Sequence, residues 1–186
     1  MTNKSENSKN IDIVGFSDIK IDSPNTFLGQ FGKENKASIQ FFDARHIAGE
    51  QHLYFAAVNA LNAFKTKMNI SNSLAIELLL YASGQRQIKK AVNMLGIKQD
   101  TSNVAVIIIT ENKNKKDNKL RLVAEKINGK RNDNVLELTD KKINSIKKMF
   151  KISNREFESK LKKEGLEKEA LTDLIIERMA LLITRK

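Results

Sequence analysis

Val104-Ala105-Val106-Ile107-Ile108-Ile109 decides the fold class. Six consecutive apolar, mostly β-branched residues fit a strand covered on both faces, because an amphipathic helix would interrupt them with polar positions. Upstream, residues 11–21 alternate: Ile11, Ile13, Ile19 and Ile21 oppose Asp12, Asp18 and Lys20. That period of two marks a half-buried strand with an irregularity near Gly15 and Ser17. Residues 38–43 read as a second, shorter strand. The only proline, Pro24, opens a connector running to about Ala37.

Three helices separate residues 38–43 from Val104. In residues 48–68, Leu53, Ala57, Ala60, Leu61, Phe64 and Met68 form one core-facing stripe. Residues 69–73 break the pattern and offer Ser71 or Ser73 as the next N-cap. Residues 74–82 are apolar on nearly every side, so this helix is the most deeply buried, with Gly84 placed as its left-handed C-terminal residue. A third helix over 85–95 puts Ile88, Ala91, Val92 and Leu95 on one face. A strand reached through intervening helices favours helices packed on a sheet over a bundle. The expectation is a single α+β domain over residues 11–186, a small mixed sheet of three to four strands under helices, after a loose tail at 1–10.

Downstream, residues 112–118 form a Lys-rich loop, 120–127 a helix and 135–138 a short extended piece. Ile143, Ile146, Met149 and Phe150 mark another helix. Ser153-Asn154-Arg155-Glu156 is a capping box, with Ile152 and Phe157 as its hydrophobic staple and Gly165 as the end of that helix. The last helix, 167–184, carries Leu171, Leu174, Ile175, Met179 and Leu182 on its main stripe. Ile176, Ala180 and Ile183 fall outside it.

Composition narrows the chemistry. The 186 residues include no cysteine, which removes disulfides, thiolate metal sites and thiol nucleophiles together. His46 and His52 stand six apart and do not stack as a metal pair. Asp43, Glu50 and Glu77 are scattered singly, and Glu77, alone in an apolar helix, reads as solvent-facing or arginine-paired. The glycines of Gly29-Gln30-Phe31-Gly32-Lys33 are too close for a phosphate-binding Walker loop, and Glu34 follows the lysine. No catalytic set, metal site or cofactor is expected. No apolar run approaches the roughly 20 residues of a membrane span, and residues 1–10 lack a signal-peptide core, so a soluble, cytoplasmic protein is expected.

The net charge is +11, and residues 111–168 carry 18 basic against 10 acidic side chains. Such a balance favours nucleic acid, although 65 residues being Lys, Asn or Ile also fits codon bias. One segment points to binding: Ser83-Gly84-Gln85-Arg86-Gln87-Ile88-Lys89-Lys90 sets a glycine turn before a helix whose first amides have no internal partner. Those amides favour an anion, Arg86 adds a forked cation, and Gln85 and Gln87 suit unpaired base edges. An ordinary helix boundary with solvated charges fits the same residues.

The wording Asn72-Ser73-Leu74-Ala75-Ile76-Glu77-Leu78-Leu79-Leu80-Tyr81-Ala82-Ser83-Gly84-Gln85-Arg86-Gln87-Ile88 resembles the KEOPS-complex accessory subunits, the PRPK-binding protein family of eukaryotes, and is closest to archaeal members. The ending Leu174-Ile175-Ile176-Glu177-Arg178-Met179-Ala180 is similar too. The resemblance implies a non-catalytic subunit supporting threonylcarbamoyl modification of the tRNA adenosine beside the anticodon. It would bind the 3′ CCA end of tRNA and the kinase-like ATPase subunit, and reach the transferase subunit through that partner. By motif match Ser83, Gly84, Gln85, Arg86 and Gln87 would lie at the tRNA end; Lys65, Lys67 and Lys89 join them on charge. Ile176, Met179, Leu182 and Ile183 would face the kinase. The alternative is a pure protein-interaction subunit without RNA contact; a small-molecule enzyme is a distant third.

Overall fold

Residues 10–31, 37–110 and 116–182 are described by a computed structural model of the chain. Its sheet contains β1 (Asn10–Ser17), β2 (Ala37–Asp43), β3 (Val104–Thr110) and a two-residue β4 (Lys130–Arg131). They lie in the order β2-β3-β1-β4. Every pairing is antiparallel, so the sheet is not mixed. β3 sits between β1 and β2 and is buried along its whole length, as its unbroken apolar run requires.

Alternate β3 side chains enter two different cores. Ala105, Ile107 and Ile109 join the larger one, while Val104, Val106 and Ile108 join the smaller. The smaller core is closed by α1 (Pro24–Gly29) and α5 (Lys116–Lys126). Its centre is an aromatic cluster in which the Phe31 and Phe41 ring centroids lie 4.6 Å apart. α1 replaces the expected connector: Pro24 is pre-set for the first helical turn and the Ser23 hydroxyl accepts the Thr26 amide.

β1 stops at Ser17, earlier than the alternation suggests, because Asp18 turns the chain at φ 59°. Ile19 and Ile21 still reach the smaller core from outside the strand. Gly15 is required by a crossing segment. A Cβ there would lie 2.4 Å from the Asn132 carbonyl oxygen, and the Gly15 amide donates to Asp133 Oδ1 at 2.8 Å.

The larger core lies under α2 (Glu50–Thr66), α3 (Leu74–Ser83), α4 (Ile88–Leu95), α6 (Asp140–Met149), α7 (Asn154–Lys160) and α8 (Glu167–Ala180). The capping box at Ser153 and Glu156 forms as the sequence indicates, with Ile152 and Phe157 buried beside it. α7 ends at Lys160, short of Gly165. Residues 133–136 make a 3-10 turn where an extended piece was expected. Of the Lys-rich stretch at 112–118, residues 116–118 belong to α5 and the rest lie outside the described residues.

Candidate functional site

α3 is buried from Glu77 to Ser83. It stops at Gly84, whose φ of +61° is a conformation that L side chains adopt only at a cost. Two bonds close the turn: the Gln85 amide donates to Leu80 O at 3.1 Å and the Gly84 amide to Tyr81 O at 2.9 Å. α4 then begins at Ile88 with Gln87 in the capping position, and no side chain caps it. The Ala91 amide bonds to Gln87 O at 3.0 Å, so the amides of Ile88, Lys89 and Lys90 precede the first intrahelical bond.

Around these amides Arg86, Gln87 and Lys89 are exposed, and Gly84 and Gln85 are half-buried. Ser83 is buried instead, its hydroxyl donating to Leu80 O at 3.1 Å. It shapes the turn and presents nothing outward. Arg86 Nη1 donates to Leu182 O at 3.2 Å, tying the turn to the end of α8.

The turn is anchored from below by His52. This ring is fully buried, and burial pushes its pKa down to about 4. Its Nδ1 accepts the Ala48 amide at 3.1 Å, so the neutral ring donates from Nε2 to Ala82 O at 2.8 Å. Tyr81 is buried beside it in sequence, and its hydroxyl has no hydrogen-bond partner among the described residues. Burial first, then nearby Glu77, raises the Tyr81 pKa to about 12.

Several expected site residues are elsewhere. α2 and α3 pack as an antiparallel pair, with His52 fixing the start of α2 against the end of α3. Lys65 and Lys67 are exposed at the far end of α2, roughly 20 Å away at 1.5 Å of rise per residue. Met179 on α8 and Leu182 just past it are buried in the larger core, and Ile176 is half-buried against it. Met179 and Leu182 are thus spent on the chain's own core, whereas Ile176 keeps part of its surface exposed. Ile183 lies outside the described residues.

Exposed apolar side chains occur where the sequence reading did not place them. Tyr54, Phe55 and Val58 line the outer side of α2, and Ile88 and Val92 are outward on α4 rather than on a core stripe. The signal was present for α2: Tyr54, Phe55 and Val58 are apolar residues left off the stripe that runs through Leu53, Ala57 and Ala60. Leu181, just past α8, is 49% exposed.

Glu77 and Asp43 are held by partners within the chain. Glu77 is neither solvent-facing nor arginine-paired: it is buried and accepts the Ile70 amide at 3.0 Å and the Ser71 amide at 2.8 Å. Burial opposes ionisation of Asp43, but the Arg45 side chain and amide outweigh it and hold that carboxyl below its ordinary range. Among the described residues no three His, Cys, Asp or Glu side chains gather as a metal-ligand set. None of the described helices is long and apolar enough to cross a membrane.

The chain is 36% identical over 113 residues to a regulatory protein, Cgi121, of Methanocaldococcus jannaschii, an alignment covering 61% of this chain and 70% of the relative. Residues 16–182 match the family model described as kinase binding protein CGI-121, from β1 to just beyond α8. With that match spanning nearly the whole described domain, the chain belongs to the CGI-121 family of KEOPS accessory subunits, the family that the wording of α3 and its glycine turn resembles.

Proposed function

We propose that this chain is a non-catalytic, cytoplasmic KEOPS subunit that holds the 3′ CCA end of tRNA at the Gly84 turn and contacts the kinase-like ATPase subunit. Through that partner it would serve the transferase that places threonylcarbamoyl on the adenosine beside the anticodon. One observation carries the RNA reading: the uncapped start of α4 is flanked by exposed Arg86, Gln87 and Lys89. Free amides at the positive end of a helix favour a phosphate. The Arg86 fork suits the same group, and glutamine amides can pair with unstacked base edges. Lys65 and Lys67, at the far end of α2, are left out of this site.

For the kinase-like partner, the family description supports binding, and the exposed Tyr54, Phe55 and Val58 of α2 offer the apolar anchors. Arg86→Glu is expected to lower affinity for tRNA at least tenfold at low salt, with circular dichroism unchanged. Removing the CCA end should weaken wild-type binding more than altering the anticodon arm. Unchanged affinity of Arg86→Glu at two salt concentrations, or the opposite ranking of RNAs, overturns the reading.

A second reading, partner contact without RNA, is favoured by Ile88 and Val92, an exposed apolar pair one turn apart on the same helix as Lys89. It predicts that Ile88→Asp, not Val58→Asp, abolishes co-purification with the kinase-like subunit, and that wild type and Arg86→Glu alike show no specific tRNA binding.

A further inference from the structure

The excess positive charge of the chain is not spent at the Gly84 turn. Between Asp140 and Glu156 lie six cations, Lys141, Lys142, Lys147, Lys148, Lys151 and Arg155, and no acidic residue. Two of the six are engaged. Lys142 Nζ donates to Val135 O at 2.7 Å, and Lys147 Nζ sits 4.0 Å from the Phe157 ring centroid. Lys141, Lys148, Lys151 and Arg155 are exposed, with no side-chain hydrogen bond or ion pair among the described residues. Lys141 and Lys148 are seven residues apart, two turns along the same outer side of α6 and roughly 10 Å on. The nearest following acid, Glu156, is already satisfied by Ser153 and by Arg178 at 2.9 Å. From Lys141 to Arg155 this rim carries charge of one sign, with Asp140 and Glu137 exposed at its α6 start and Asp140 paired with Lys168.

Lys151 is set apart from its neighbours by its backbone. It occupies the left-handed position that ends α6, at φ 53°, while the Ile152 amide closes the turn on Lys147 O at 2.8 Å. Glycine is the least strained residue at such a position, so Lys151 sits there at some cost to stability, as Lys67 does at the end of α2, and Lys151→Gly removes the cation without adding strain.

The rim is also continuous with the turn. A Cβ built on Gly84 would be 3.9 Å from Arg178 Cβ, and the Arg178 guanidinium reaches Phe150 O, Lys151 O and Glu156. One arginine therefore spans the two places.

We propose that the α6–α7 corner, through Lys141, Lys148, Lys151 and Arg155, is a second RNA surface. It grips the phosphate backbone of the duplex that leads into the single-stranded end held at the Gly84 turn. The identity of the RNA rests on the reading of that turn. Duplex RNA displays phosphates rather than readable base edges in its deep groove, and scattered, mobile cations suit it better than a shaped pocket.

The test uses the full chain with two probes: a tRNA transcript, and a short single-stranded oligonucleotide ending in CCA. Lys148→Glu/Lys151→Glu/Arg155→Glu is expected to bind tRNA about tenfold or more weakly at low salt. Its log affinity should depend less steeply on log salt, by about 2, at roughly 0.7–0.9 per phosphate contact. It should bind the oligonucleotide like wild type, whereas Arg86→Glu loses both probes. Failure of Arg86→Glu with loss in the triple variant rejects the turn and keeps the corner. An unchanged tRNA affinity and salt slope in the triple variant overturns the corner, as does a loss confined to anionic vesicles or to the kinase-like subunit. Should the triple variant unfold, Lys151→Gly decides: a melting point raised by roughly 2–4 °C with weakened tRNA binding supports the corner, and unchanged binding rejects it.

Discussion

Opposite ends of the α2–α3 hairpin carry two fully buried titratable side chains, Glu77 and His52, and they are used in opposite ways. At the loop end, the amides of Ile70 and Ser71 converge on the Glu77 carboxylate. At the other end a neutral His52 ties Ala48 to Ala82, and the amides that open α4 have no carboxylate of their own. Both ends therefore assemble donors that suit an anion. One end is filled from within the chain, and the other faces outward beside Arg86 and Lys89. Basic residues near the closed end, Lys65 and Lys67, have no such amides to act with.

The closed end can be broken most sharply at Glu77. Glu77→Ala leaves two amide donors without their acceptor, and hydrogen bonds to charged groups contribute about 1.5–3 kcal/mol each. A loss of roughly 3 kcal/mol or more is expected from urea unfolding. tRNA affinity of the folded variant should stay within twofold of wild type, because the turn lies at the other end of α3. A cost below about 1 kcal/mol would mean that water replaces the carboxylate freely and that this end of the hairpin is not closed.

At the open end the sensitive variable is pH. His52 has its pKa depressed from 6.5 to about 4 in the folded chain. As pH falls below 6.5 the unfolded chain takes up the proton first, so stability is complete above 6.5 and declines towards 4. The full shift corresponds to about 3 kcal/mol at 1.36 kcal/mol per unit. His46, whose pKa burial also lowers, adds a slope of the same sign. The contribution of His52 is therefore the difference between wild type and His52→Gln across pH 4–6.5. Equal slopes in the two proteins would remove His52 from its anchoring role.

How much of this was legible depended on whether a feature is local. The glycine stop of α3, the capping box at Ser153 and the central strand are written within a few residues, and each formed as read. The role of Glu77 was not, because an isolated carboxylate gives no sign that the preceding loop will fold its amides back over it. Met179 and Leu182 turn inward for another reason: the C-terminal segment is apolar on two sides, and only packing against the rest of the core decides which side is spent. Arg178 was quoted in the resemblance, yet its position between Gly84 and the α6–α7 corner depends on long-range packing. The position of Lys65 and Lys67 is legible from loop length. A loop of about seven residues between two helices makes them antiparallel neighbours, which puts the end of α2 far from the end of α3.

That geometry yields the finest comparison. Lys67 and Lys151 both end a helix in the left-handed conformation, at φ 58° and 53°. Glycine at either position should gain roughly 1 kcal/mol by relieving the Cβ clash. Their RNA readouts should diverge. Lys67 stands at the closed end, where the amides are already occupied, so Lys67→Gly should melt higher and bind tRNA within twofold of wild type. Lys151→Gly should melt higher and bind more weakly, because its cation belongs to the rim that Arg178 joins to the turn. Equal losses of affinity in both variants would extend the RNA surface over both ends of the hairpin, and the filled amides at Glu77 would then not explain where RNA binds.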